Sequence, residues 1–166
     1  MILNGASYKI GDDINTDYVI SGRYKFAISD MKELAKHIME DIDPTFYSRL
    51  KPGASFLVAG KNFGMGSSRE QAPLVIKEAG IVGVVAKSFA RIFYRNAINI
   101  GLPLIEADTT DIAESDLLEI DLEKGVLKNL TKKKEVKINP LPHVMRKLLA
   151  DGGLVEHFKK YGSIKL

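Results

Sequence analysis

The 166-residue chain contains no cysteine. That absence excludes disulfides, a thiolate zinc site, a cysteine nucleophile and an iron–sulfur cluster held by this chain alone. Any such metal chemistry has to be brought by a partner. Histidine is scarce as well: His37, His143 and His157 are the three present. Their spacing puts no two on one helical face as metal ligands, so all three read as helix-surface residues and no metal site is expected. No apolar run approaches the ~20 residues of a membrane span. Residues 1–9 also lack the basic and apolar regions of an export signal, so a soluble, cytoplasmic chain with no membrane contact is expected. An excess of one charge is missing too. The 24 basic and 21 acidic residues leave a net charge of +3, with the lysines scattered, which is too little to argue for nucleic acid. The densest run, Lys132-Lys133-Lys134, lies between apolar stretches beside Glu135 and reads as a solvated hairpin turn rather than a phosphate-binding patch.

What is present is enough for a sizeable core. With 45% hydrophobic residues and no repeat, linker or low-complexity tract, residues 1–166 are expected to form one domain. A weakly alternating first segment predicts a strand. It runs into Gly11-Asp12-Asp13-Ile14-Asn15-Thr16-Asp17, a dense cluster of turn formers. Leu34, Ala35, Ile38 and Met39 share one face of a helix predicted from Met31 to Met39 and capped by Ser29 or Asp30. Ser55-Phe56-Leu57-Val58-Ala59 is a compact apolar run that reads as a buried strand entering a glycine-rich loop. Beyond the loop, Leu74, Val75 and Ala79 mark a helix with Ser67 and Ser68 at its cap and Gly80 at its end.

A second buried strand, residues 81–86, is followed by a helix capped by Ser88. Its apolar positions are Phe89, Ile92, Phe93, Ala97 and Ile100, and Gly101 ends it. A third strand begins at Leu102. Strand–helix–strand–helix–strand at this spacing argues for parallel pairing through crossovers. Residues 118–138 alternate with period two and read as a β-meander. Helices at residues 143–150 and 154–160, broken at Gly152-Gly153, complete an α/β chain.

Three glycines in Gly60-Lys61-Asn62-Phe63-Gly64-Met65-Gly66 suggest backbone that turns tightly or approaches a ligand closely, and a helix start just beyond favours an anion. The P-loop and dinucleotide fingerprints both fail here, because no lysine follows Gly66 and Arg69 stands where a glycine is wanted. Two hydroxyls and a guanidinium remain. Arg69 can hold a carboxylate through paired hydrogen bonds, and a serine among N–H donors can be stabilised as its alkoxide. An ordinary helix cap with a surface arginine accounts for the same residue types, so the residues alone leave both readings open.

Residues 60–72, Gly60-Lys61-Asn62-Phe63-Gly64-Met65-Gly66-Ser67-Ser68-Arg69-Glu70-Gln71-Ala72, resemble the signature of the swivelling fourth domain of aconitases and of the separate small subunits of 3-isopropylmalate dehydratase and homoaconitase. The likeness continues through residues 86–97 and Asn99-Ile100-Gly101-Leu102-Pro103, with an upstream piece at residues 13–17. It covers residues from about 10 to 107. The resemblance implies a swivelling β/β/α three-layer domain with a mixed sheet and βαβ crossovers around the glycine-rich loop. It further implies a hydro-lyase subunit of leucine biosynthesis, active only with a large subunit in a heterodimer or heterotetramer. The 4Fe-4S cluster is expected on that large subunit, and no cofactor on this chain.

Carried over by the resemblance, Ser67 is the base that removes a proton beside a carboxylate of a small di- or tricarboxylate. Ser68 and Arg69, with Gly64 and Gly66, bind that carboxylate. Arg91, Arg95 and Asn96 are left as supporting or interface residues. The segment Arg23-Tyr24-Lys25-Phe26-Ala27 resembles the family's substrate-discriminating loop. Phe26 there favours an alkyl substituent such as isopropyl, because a buried carboxylate without a partner is costly, whereas Arg23 or Lys25 could meet the extra carboxylate of a homoaconitase substrate. A 2,3-dimethylmalate dehydratase stays open on the same grounds. From a different class, an anion-binding regulatory module would use residues 64–69 without any partner.

Overall fold

A computed structural model of the chain describes residues 1–165. Strand β1 (Ile2–Lys9) leads through short helices α1 (Thr16–Val19), α2 (Gly22–Ala27), α3 (Met31–Ala35) and α4 (Phe46–Arg49) to an alternating stretch. That stretch is β2 (Ser55–Val58), α5 (Gln71–Glu78), β3 (Ile81–Ala86), α6 (Arg91–Asn99) and β4 (Leu104–Glu106). The meander β5 (Leu117–Asp121), β6 (Val126–Asn129) and β7 (Lys134–Lys137) follows, then α7 (His143–Ala150) and α8 (Leu154–Tyr161). All seven strands join one sheet in the order β4-β3-β2-β1-β5-β6-β7. Strands β1 to β4 pair in parallel and β1, β5, β6 and β7 antiparallel, so the sheet is mixed as expected.

The alternation of the strands sorts the core into two clusters. Leu57, Ala59, Val84 and Ala86 point to the helix side, where they meet Leu34 and Ala35 of α3, Ala72, Val75 and Ile76 of α5, and Phe93 and Ala97 of α6. Phe56, Val58, Val85 and Ile105 point the other way and pack with Leu118, Ile120 and Leu127 of the meander and Leu149 of α7. Residues from both halves of one sheet therefore share a cluster. A sheet achieves this by rolling up, and the strands curl into a half-barrel around that second cluster.

Several local expectations change in the folded chain. Asp30 caps α3 by accepting the Glu33 N–H at 2.9 Å, but the helix stops at Ala35. Its continuation tightens into three-residue closures from His37 to Leu34 and from Ile38 to Ala35. Met39 then takes a left-handed conformation (φ 55°) and donates its N–H to the Val19 carbonyl at 3.0 Å. This tightening buries Leu34, Ala35, Ile38 and Met39 together. His157 is no surface residue: it is fully buried, with Nδ1 2.7 Å from Asp151 and Nε2 accepting the Lys165 N–H at 3.1 Å. Because Nε2 is an acceptor, the ring proton sits on Nδ1 and donates to Asp151. His157 first and Lys160 second hold the Asp151 carboxyl below the usual carboxylate range. At the β6–β7 turn Lys133 is left-handed (φ 55°), while Lys132 and Lys134 reach Asp116 at 3.4 Å and Asp111 at 2.9 Å.

Candidate active-site cleft

Because β1, β2 and β3 are parallel neighbours, the segments that leave their carboxyl ends emerge on the same side of the sheet. In open α/β sheets that side is where ligands bind. The glycine-rich loop after β2 is threaded between the other two segments. The Lys61 N–H donates to Asp12 Oδ1 (2.7 Å) and the Gly64 N–H to the Ile14 carbonyl (2.8 Å) on one side. On the other, the Asn62 N–H donates to Ser88 Oγ at 2.8 Å and the Phe63 N–H to the Ser88 carbonyl at 3.0 Å. Ser88 thus fastens the loop instead of capping α6, whose N-cap is Ala90 with no side-chain bond. Phe63 is fully buried, edge-on to Phe93 with ring centroids 5.1 Å apart.

Gly64 (φ 83°) and Gly66 (φ 93°) both occupy the left-handed region. A Cβ on Gly64 would lie 2.3 Å from Phe93 Cγ, and one on Gly66 would lie 2.5 Å from Asn15 Oδ1. Only glycine satisfies both the dihedral and the close approach.

Ser67 and Ser68 do not cap α5. The helix starts at Gln71, its N-cap Glu70 makes no side-chain bond, and both serines stand exposed ahead of it. Their hydroxyls are therefore not spent on the helix, and the plain capping explanation of these residues fails. Because α5 begins only at Gln71, its terminus lies beyond these serines and an anion preference at them has other sources. Arg69 is one source. Its Nε donates to Ser67 Oγ at 3.1 Å, a terminal nitrogen pairs with Asp17 at 2.5 Å, and another reaches the Ile20 carbonyl at 3.4 Å. A guanidinium N–H directed at a hydroxyl oxygen stabilises negative charge on that oxygen. The Asp17 side chain is half exposed, and pairs in such surroundings are weak enough to exchange.

Ser67, Ser68, Arg69, Gly64 and Gly66 all line one cavity of about 330 Å³. Thr16, the first turn of α6 from Ala90 to Phe93, and Asn96 complete the lining. A cavity of this size is at the lower end of small-molecule sites, and the uncapped start of α6 adds a partial positive charge to it. A second recess continues past Ser68 toward Arg95 and Asn99. Sequence spacing gave no reason to place Thr16 in the site. The hint for α6 was available: Arg91, Arg95, Asn96 and Asn99 recur at helical spacing on one face.

Thr16 is 2% exposed, and its hydroxyl donates to the Ser67 carbonyl at 2.9 Å. Thr16→Val keeps the shape and removes the donor; because the Ser67 carbonyl still accepts the Arg69 N–H at 2.8 Å, the expected loss of unfolding free energy is about 0.5–1.5 kcal/mol, and Thr16→Ser retains most of that contribution. Urea denaturation compares the three. Equal midpoints for valine and wild type would show that this hydroxyl does not hold the loop.

The discriminating segment is a helix, α2, not a loop, and none of Arg23, Tyr24, Lys25, Phe26 and Ala27 lines the cavity. Arg23 pairs with Asp41 at 2.7 Å, and Tyr24 stacks on His37 with ring centroids 3.8 Å apart. Both are committed to the chain's own structure. Phe26 is 84% exposed, with Lys25 Nζ 5.4 Å from its ring centre. At the start of α2, Gly22 adjoins the site: a Cβ added there would sit 3.7 Å from the Arg69 guanidinium.

Among the described residues no group of three or more His, Asp or Glu side chains is placed to hold a metal ion. With no thiol in the sequence, the donors of this chain do not fit a 4Fe-4S cluster. No helix among the described residues is long and apolar enough to cross a membrane.

Known proteins resemble this chain over nearly its whole length. The family described as the aconitase C-terminal domain matches residues 25–110. The 3-isopropylmalate dehydratase small subunit 2 of Archaeoglobus fulgidus is 57% identical over 166 residues, covering 100% of both chains. Small subunit 1 of the same enzyme from Thermotoga maritima is 51% identical over 163 residues, covering 98% of each. The crystal structure of a 3-isopropylmalate dehydratase from Methanocaldococcus jannaschii superposes with a TM-score of 0.92 at 49% identity, over 98% of this chain and 96% of that one.

Proposed function

Since the chain belongs to the family of 3-isopropylmalate dehydratase small subunits, we propose that it supplies the base and carboxylate anchor of that hydro-lyase, with Ser67 as the base. The observation that carries this reading is the Arg69 Nε–H directed at Ser67 Oγ at the mouth of an open cavity. In the proposed step, Ser67 Oγ, as its alkoxide, takes the proton from the carbon beside a carboxylate. Arg69 exchanges Asp17 for that carboxylate, and Ser68 together with the uncapped start of α6 completes the anchor. The hydroxyl on the adjacent carbon departs as water with a proton from an acid of the large subunit, leaving a double bond. Water then adds with its hydroxyl on the carbon that lost the proton, Ser67 returns its proton to the carbon that lost the hydroxyl, and the isomerisation in leucine biosynthesis is complete. The implied cluster, which this chain's donors do not fit, is assigned to the large subunit, and the pair is taken to work in the cytoplasm.

Anaerobic reconstitution with a large subunit tests this. Turnover of isopropylmalate well above homoaconitase-type substrates and 2,3-dimethylmalate is expected. Tight anion binding by the isolated chain, with no turnover in any mixture, would instead support the regulatory module.

The substrate preference rests on Phe26. Its near-complete exposure in the isolated chain means that it contributes little to this fold, and an alkyl-recognising role requires the partner to close over it. Phe26→Arg is accordingly expected to change the stability of the isolated chain by no more than about 0.5 kcal/mol. It should lower kcat/KM for isopropylmalate by about 10–200-fold, the range for one apolar pocket contact. Unchanged kcat/KM on the reconstituted pair would remove α2 from substrate discrimination.

A further inference from the structure

The sequence has six arginines. Four of them are paired within the chain: Arg23 with Asp41, Arg49 with Asp43 and Glu114, Arg69 with Asp17, and Arg146 with Glu123. Arg91 and Arg95, one turn apart on α6 and both exposed, have no carboxylate within 4.0 Å among the described residues. Glu70 and Glu106 line the recesses on either side without reaching ion-pair distance. On the same face Ile92 is 51% exposed, an apolar side chain with nothing of this chain over it. Its apolar spacing predicts an inward position, yet Phe93 and Ala97 take the core and Ile92 faces out. Two unpaired guanidinium groups around an uncovered isoleucine are the composition of a binding surface, where arginine and apolar anchors are favoured.

We propose that the outer face of α6, formed by Arg91, Ile92, Arg95 and Asn99, docks an acidic patch of the cluster-bearing large subunit, with Ile92 buried between two arginine–carboxylate pairs. The proposal rests on the heteromeric reading above. Charge complementarity identifies the occupant: a planar guanidinium without a partner is matched by a carboxylate through paired hydrogen bonds. Continuity identifies the place. Arg91 and Ile92 line the Ser67 cavity and Arg95 lines the recess that continues from it, so a partner seated here also covers the open side of the cleft. Docking and closure become one event.

The test measures assembly, not only turnover. Wild type, Arg95→Glu, Arg95→Ala and a distant control, Lys159→Glu on α8, are titrated with the intact large subunit at several salt concentrations under anaerobic conditions. The Arg95→Glu dissociation constant is expected to rise at least about tenfold and Arg95→Ala to fall between it and wild type, while the control stays within about twofold. The wild-type affinity should weaken with salt, and the gap between wild type and Arg95→Glu should be widest at low salt. With the large subunit saturating, kcat and KM of Arg95→Glu return to within about twofold of wild type. Circular dichroism melting checks the fold, and should Arg95→Glu melt early, the alanine variant and the wild-type salt slope decide. Wild-type-like affinity in Arg95→Glu overturns the docking face, as does normal assembly with only a raised KM, which would make Arg95 a substrate contact. If the wild-type chain neither assembles nor turns over, the heteromeric reading fails and takes this face with it. If wild type assembles and works while Arg95→Glu assembles equally well, the docking face alone is lost.

Discussion

Replacing Ser67 by alanine is expected to lower kcat of the reconstituted pair by about 10²- to 10⁴-fold, the usual contribution of a positioned general base, with substrate affinity changed only a few-fold. The asymmetry follows from the geometry. Among the described residues the side-chain hydrogen bond of Ser67 Oγ is the one from Arg69 Nε–H, whereas in the proposed step the carboxylate is held by the terminal nitrogens of Arg69, by Ser68 and by the start of α6. Loss of the hydroxyl removes the base and leaves the anchor. The side chain is exposed, so the fold should not register the change beyond about 0.5 kcal/mol. Single-turnover rates and equilibrium binding, measured separately, check both halves. Ser68→Ala is the natural comparison and should raise KM more than it lowers kcat, as expected for binding shared by ground and transition states. Full turnover by Ser67→Ala would end the assignment of this residue as the base.

The second large effect is on the loop itself. Gly64→Ala places a methyl group 2.3 Å from Phe93 Cγ and 2.6 Å from its Cβ, at a backbone φ of 83°. The left-handed conformation costs a non-glycine residue about 1–2 kcal/mol, and overpacking a core adds about 1–3 kcal/mol. Phe93 is 2% exposed and wedged against Phe63, so it has little room to retreat. A loss of about 2–5 kcal/mol is expected, which for a domain of this size lowers Tm by roughly 10 °C. Activity should fall further than stability, because displacing Ser67 by ~1 Å can cost ~10²-fold in rate. Repeating the change in a Phe93→Ala background separates the two causes: with Cγ and Cδ2 of Phe93 gone, Gly64→Ala should lower the Tm of Phe93→Ala by less than it lowers that of wild type, and the dihedral strain should remain. A Tm for Gly64→Ala equal to wild type would mean that the loop is not held as described.

Ile92 shows how a local pattern can mislead. Helical spacing counts it with Phe93, Ala97 and Ile100, but a helix nine residues long that buries Phe93 and Ala97 must turn Ile92 outward. Ser67 and Ser68 mislead in the opposite sense. They match a capping pattern, yet the chain stays irregular until Gln71 because Arg69 is held by Asp17 and the Ile20 carbonyl. His157 has the composition of a surface residue and becomes a buried one because Asp151 and the Lys165 N–H satisfy both ring nitrogens.

The sequence by itself determined the strands, their parallel and meandering halves, the glycines with left-handed backbone, and the residues that bring hydroxyl and guanidinium chemistry to residues 67–69. Each of these is a short-range property, set by alternation, steric limits on φ, or side-chain type. The absence of cysteine likewise excluded a cluster held by this chain alone. Tertiary structure alone decided that Arg69 reaches Ser67 Oγ and Asp17 together, that Thr16 fastens the Ser67 carbonyl across 51 residues of sequence, and that the start of α6 joins the same cavity. Those contacts depend on the strand order β3-β2-β1, which brings the segments after three parallel strands to one edge. No local spacing encodes the order in which strands pair, since it is fixed by how the whole apolar surface of both sheet faces is buried at once.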